Sequence, residues 1–157
     1  MKWTPDGTDR PLRALSGPAA ANASALRVNG MTELADLRVF VVEDELLVSM
    51  LVEDMLADFG CKIVGPASDI EEAILLARDG EIDVAILDVN VGGRRSFPVA
   101  DILKSRGLPF AFASGYGEAG IIEAYRGAPV LQKPFLQSDL EKALVGLRSA
   151  LIPSSPD

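Results

Sequence analysis

Five short apolar runs, each followed by a stretch of different period, constrain the fold of this chain more than any other feature. Val39-Phe40-Val41-Val42 is an unbroken, β-branched run of the kind a strand shows when both its faces are covered. Behind it, Val48, Leu51, Val52, Met55 and Phe59 recur at helical spacing and draw one apolar face, closed by Gly60. Lys62-Ile63-Val64 reads as a second strand stopped by Gly65-Pro66. Asp69 with Glu72 three residues on is a capping-box pattern, opening a helix that ends near Gly80. Val84-Ala85-Ile86-Leu87 is the third strand, with Asp88 at its C-terminal end. A Gly92-Gly93 loop follows, and Ser96 then caps a helix with Pro98 in its first turn, where a missing N–H costs nothing. Pro109-Phe110-Ala111-Phe112 and Val130-Leu131 supply strands four and five, with a glycine-loosened helical pattern over Glu118–Arg126 between them. Leu136, Leu140, Leu144, Leu147 and Leu151 trace the last helix.

Successive β-α units require crossover connections, which predicts an α/β fold: a five-stranded parallel sheet with helices on both faces. The chain's 157 residues suffice for one such domain, placed at residues 36–150. Residues 1–35, rich in Ala, Pro, Gly and Asn, read as a mobile N-terminal extension, and 151–157 as a short C-terminal tail. No apolar run approaches the roughly 18–20 residues that span a bilayer, and no continuous hydrophobic stretch follows Lys2, so a secretory signal is not expected. The lone Cys61 has no internal partner, so a reducing, cytoplasmic location and a packing role at a strand start are expected. The net charge of −8 falls entirely within residues 36–150, which disfavours binding to a nucleic-acid backbone.

In open parallel sheets, ligands sit beyond the carboxyl ends of the strands. Those ends carry Glu43-Asp44-Glu45, Asp88 with Asn90, Ser114-Gly115 and Lys133-Pro134. Carboxylates gathered at one edge repel one another unless a cation neutralises them, and an all-oxygen set suits Mg²⁺. The chain has no histidine, which excludes a Ser-His-Asp triad, a histidine-ligated zinc and a phosphohistidine of its own. With Mg²⁺ in place the set suits phosphoryl transfer, with Asp88 as the nucleophile and Lys133 and Ser114 covering charge on the transferred oxygens.

In order and spacing, Val41-Val42-Glu43-Asp44-Glu45, Ile86-Leu87-Asp88, Ala113-Ser114-Gly115 and Lys133-Pro134-Phe135 resemble the four motifs of the response regulator receiver domain of two-component signalling. The resemblance implies strand order 2-1-3-4-5, with Asp88 as phosphoacceptor. It implies Asp44 and Asp88 as Mg²⁺ ligands beside the Asn90 carbonyl, and Glu43 as a further ligand acting through water. It also implies Ser114 as switch hydroxyl, Lys133 as the phosphoryl-binding lysine, and a cis bond between Lys133 and Pro134. The phosphoryl donor would be a histidine kinase or histidine phosphotransfer protein and the output a downstream protein target. Such a domain catalyses only its own phosphorylation and dephosphorylation. The last helix and the Glu118–Arg126 segment are candidate surfaces for a weak homodimer.

Two departures stand out. Receivers carry an aromatic three residues before the lysine, where this chain has Val130; Tyr116 is the candidate substitute in the switch. Phe112-Ala113-Ser114-Gly115-Tyr116 resembles a single-domain subgroup marked by Phe-Ala-Thr-Gly, with Ser in place of Thr. The alternative is a pseudo-receiver, an interaction module that leaves the site unused. An aspartyl-nucleophile phosphatase fits less well, because Asn90 stands where those enzymes place a general acid. The turn after strand one also lacks the dinucleotide-binding glycines. Arg94-Arg95 read as solvated loop charges.

Overall fold

The structure, a computed structural model, describes residues 34–115, 121 and 125–151. Its elements run β1 Arg38–Val42, α1 Leu46–Asp58, β2 Lys62–Ala67, α2 Ile70–Asp79, β3 Val84–Asp88, α3 Phe97–Ser105, β4 Phe110–Ser114, β5 Val130–Gln132 and α4 Gln137–Leu151. All five strands are parallel, in the order β2-β1-β3-β4-β5, so the expected architecture is present.

Alternation along the strands sorts side chains to two cores. Phe40, Val42, Ala85, Leu87 and Phe112 meet Ala73 and Ala77 of α2 and Val99 and Leu103 of α3. Val39, Val41, Val84, Ile86 and Ala113 meet Val52 and Leu56 of α1 and Leu140, Leu144 and Leu147 of α4. Both faces of β1 and β3 are thereby dry, which is why their sequences are continuously apolar rather than alternating. Both strands deliver their last residues to one polar edge.

Several details differ from the sequence reading. The buried face of α1 is Val52, Met55 and Leu56, continued by Phe59, whereas Leu51 is 54% exposed. One residue is about 100° of helix rotation, enough to carry Leu51 out of the core. Strand β2 runs through Gly65-Pro66 instead of stopping there. A register shift between Phe40 and Val42 absorbs Pro66, which has no N–H to give the ladder, and Ala67 resumes pairing opposite Val42. Leu136 precedes α4 and is exposed, its N–H donating to Asp139 Oδ2 at 2.9 Å, so its place in the leucine series is coincidental. Leu34 is fully buried beneath α1, although the sequence placed it in the extension. Apart from Leu34, Ala35 and Leu151, the two expected flanks lie outside the described residues, as does most of Glu118–Arg126.

The helix starts divide. At α2, Asp69 caps as expected: its Oδ1 accepts the Glu72 N–H at 2.8 Å, while Glu72 Oε1 accepts the Ser68 N–H at 3.2 Å. Asp69→Ala should cost about 1 kcal/mol of unfolding free energy, read from the urea midpoint at unchanged slope. At α3, Ser96 occupies the start without capping. Its backbone (φ −88°, ψ 11°) is not the extended form that aims a side-chain oxygen at the helix N–H groups, and its buried Oγ has no hydrogen-bond partner. Among the described residues, no helix is long and apolar enough to cross a membrane.

Candidate functional site

The end of β1 turns sharply into α1, and that turn presents three consecutive acids at the sheet edge. Glu43 is folded inward and only 5% exposed. Its N–H donates to the Ala67 carbonyl at 3.0 Å, and its Oε2 accepts the Glu45 N–H at 3.0 Å, which fixes the carboxylate. Asp44 points outward. At the end of β3, Asp88 is 8% exposed, close enough that single oxygens of Glu43, Asp44 and Asp88 lie within 4.8 Å of one another.

Lys133 follows β5, and its backbone N–H donates to the Ser114 carbonyl at 2.9 Å, tying the ends of β4 and β5 together. Its ammonium donates to Glu43 Oε1 at 3.1 Å and stands 3.4 Å from Asp88 Oδ2 and 3.9 Å from Glu45 Oε1. The Lys133–Pro134 peptide is cis, as the resemblance implied; so is Gly65–Pro66. One ammonium does not balance these acids. Burial, reinforced by the Glu43 charge, pushes Asp88 up to about 7 against the pull of Lys133. Burial works against the Lys133 charge, but the Asp88 and Glu43 charges outweigh it and hold the ammonium above its ordinary range.

Asp44, Glu45, Asp88 and Lys133 open onto a cavity of about 620 Å³ that also reaches Ser114, Gly115 and Asn90. Ser114 is buried at the end of β4. Asn90 is exposed on a hairpin rather than the expected plain loop, its arms Asn90–Val91 and Arg94–Arg95 pairing antiparallel. Gly92 and Gly93 turn it with φ of 59° and 79°, the pair of positive values a tight two-residue turn demands. The signal was legible, since two glycines between short arms are a hairpin signature. The Gly92 N–H donates to Asp44 Oδ2 at 2.8 Å, so the hairpin is fastened to the acidic turn. Arg95 lines the cavity as well, whereas Arg94 pairs with Glu71.

Glu43, Asp44 and Asp88 thus form an oxygen-only donor set beside an open cavity. A buried carboxylate pushed up by a neighbouring one is the imbalance a hard divalent cation relieves, so the set fits Mg²⁺.

Tyr116 lies outside the described residues. Tyr125, which the sequence pattern does not single out, belongs to the core behind β4: its ring stacks on Phe97 at 5.5 Å and meets Phe112 edge-on at 5.6 Å. Its hydroxyl donates to Asp101 of α3. Val130 packs, half-buried, against the same core. Cys61 is half-buried, its thiol pushed up to about 11 by burial, consistent with packing.

Residues 39–145 match the family model described as response regulator receiver domain. Over 111 residues the chain is 35% identical to the transcriptional regulatory protein PdtaR of Mycobacterium tuberculosis, covering 68% of this chain and 54% of that protein. The chain therefore spans about half the length of the curated relatives it matches. The solution structure of SdrG from Sphingomonas melonis Fr1 is 41% identical with a TM-score of 0.64, covering 73% of this chain and 95% of that one. SdrG from Pseudomonas melonis Fr1 in its BeF3-activated conformation is 42% identical with a TM-score of 0.63, covering 73% and 98%. The receiver domain of sensor histidine kinase PA1611 from Pseudomonas aeruginosa PAO1, with a magnesium ion coordinated in its active site cleft, shares the fold at 18% identity and a TM-score of 0.61, covering 73% and 99%.

Proposed function

The chain belongs to the response regulator receiver domain family, and from that premise we propose that Asp88 accepts a phosphoryl group from a histidine kinase or histidine phosphotransfer protein, in a Mg²⁺-dependent reaction. The observation that carries this reading is the Lys133 ammonium set 3.4 Å from Asp88 and 3.1 Å from Glu43, beside an acidic set that fits a divalent cation.

An Asp88 oxygen bonds to phosphorus as the P–N bond of the donor phosphohistidine breaks. The electron pair leaves with the imidazole nitrogen, which takes its proton from solvent. Mg²⁺, held by Asp44, Asp88 and the Asn90 carbonyl with Glu43 behind them, would neutralise charge on a phosphoryl oxygen and keep Asp88 ionised as the nucleophile. Lys133 covers a second oxygen and the Ser114 hydroxyl a third. Glu43 holds Lys133 in place, and the hairpin holds Asp44 through Gly92. PA1611's magnesium and SdrG's BeF3-activated state support carrying this chemistry over to the same fold.

The domain would then signal by presenting a phosphorylation-dependent surface to a protein target, or serve as a relay or sink for phosphate. It turns over no substrate besides its own phosphoryl group. The substitution at Val130 favours one alternative, a pseudo-receiver that docks partners without being phosphorylated. Incubation with Mg²⁺ and a small phosphodonor, read by intact mass, separates the two. We expect the wild type to gain one phosphoryl group and Asp88→Asn none. An unmodified wild type, beside a control receiver that is modified, favours the pseudo-receiver.

A further inference from the structure

We infer that Arg95 is a phosphoryl-binding residue, placed by the Gly92-Gly93 hairpin to hold outward-facing oxygens of the group on Asp88; this rests on the acceptor reading above. The hairpin arm that carries Arg95 pairs in register with Asn90, so the arginine stands opposite the residue whose carbonyl would join the acidic set as a ligand under the acceptor reading. It lines the same cavity as Asp88, Ser114 and Lys133, from the side across which the hairpin lies. The turn is not free to swing away, because the Gly92 N–H is fastened to Asp44 at 2.8 Å.

Charge gives the residue a task. Phosphorylation replaces one carboxylate with a dianion in a pocket already holding Glu43, Asp44 and Glu45. Lys133 is shared among those acids and Asp88. A divalent cation and one shared ammonium leave the phosphorylated pocket net negative, and an arginine lining it offsets part of that excess. The planar fork of arginine matches phosphoryl oxygens bidentately, which an ammonium does not. Arg94, the adjacent residue on the same arm, pairs with Glu71, does not line the cavity and serves as an internal control.

The test is binding of beryllofluoride, a stand-in for the phosphoryl group, to the full chain at saturating Mg²⁺, followed by amide shifts. Arg95→Ala should weaken it about tenfold and Arg95→Lys by less, with Arg94→Ala within about twofold of wild type. Mg²⁺ affinity without beryllofluoride should be unchanged in all three variants. A parallel loss of Mg²⁺ affinity in Arg95→Ala would instead make Arg95 a support of the Asp44 hairpin and overturn the inference. So would an Arg95→Ala variant that binds beryllofluoride like the wild type. A wild type that binds Mg²⁺ but no beryllofluoride overturns the acceptor reading itself, and this inference with it.

Discussion

Lys133→Ala should slow phosphorylation of Asp88 by a small donor at saturating Mg²⁺ by at least about a hundredfold, the order seen when one preorganised charge-stabilising donor is removed. The same substitution should lower the stability of the metal-free protein at pH 8 by about 3 kcal/mol. The structure sets Lys133 against both Glu43 and Asp88, and removing one partner of a buried pair leaves the other charge uncompensated. Acidification should shrink the stability loss. Asp88, pushed up to about 7, takes a proton as the pH falls and then no longer needs the ammonium. Urea unfolding at pH 8 and pH 5.5, with chelator present, measures this directly. A stability loss equal at both pH values would show that Lys133 acts through packing rather than charge, and a rate loss under about tenfold would remove it from the phosphoryl site.

The sheet and its acidic edge were legible because both depend on patterns that burial imposes. A strand dry on two faces has no choice but a continuous apolar run, as in Val39–Val42 and Val84–Leu87, and a strand's end has no choice of position. Asp88, Glu43, Asp44, Ser114 and Lys133 could therefore be assigned to one edge before any distance was known, and the structure brings them together there. Less legible were features set by a single residue's geometry. Leu51 and Leu136 satisfy the helical spacing yet stand exposed, since spacing alone does not say which of two adjacent stripes faces the sheet. Ser96 has the right identity for a cap and the wrong backbone angle. The bulge that carries β2 past Pro66 depends on what β1 offers opposite it, and no local pattern encodes that. Arg95 is exposed, as expected of a solvated loop charge, and it lines the cavity beside Asp88 only because Gly92 and Gly93 reverse the chain, which no local pattern around Arg95 encodes.

Asp88→Asn should have the opposite sign from Lys133→Ala: it should stabilise the metal-free protein at pH 8 by up to about 4 kcal/mol. In the unfolded chain Asp88 ionises near the ordinary aspartate value of about 3.9. In the fold, burial and the Glu43 charge push it up to about 7. Between these two pH values the folded state holds a proton that the unfolded state has released. The stability this proton confers is complete below about pH 4. It falls as the pH rises toward 7, by at most about 1.4 kcal/mol per pH unit. Asparagine has nearly the shape of the protonated acid and cannot ionise, so the variant lacks this decline and the two stability curves diverge above pH 4. Adding Mg²⁺ should raise the wild type more than the variant and narrow the gap, since one carboxylate of the Glu43, Asp44 and Asp88 set has been lost. In the double variant with Lys133→Ala, the cost of losing the lysine should be smaller than in the wild-type background, because one of the two buried charges it serves is gone. Curves for wild type and Asp88→Asn that run parallel from pH 4 to 8 in chelator would mean that Asp88 is ionised throughout. The acidic edge would then be balanced without a metal, and the main electrostatic reason for expecting one there would go with it.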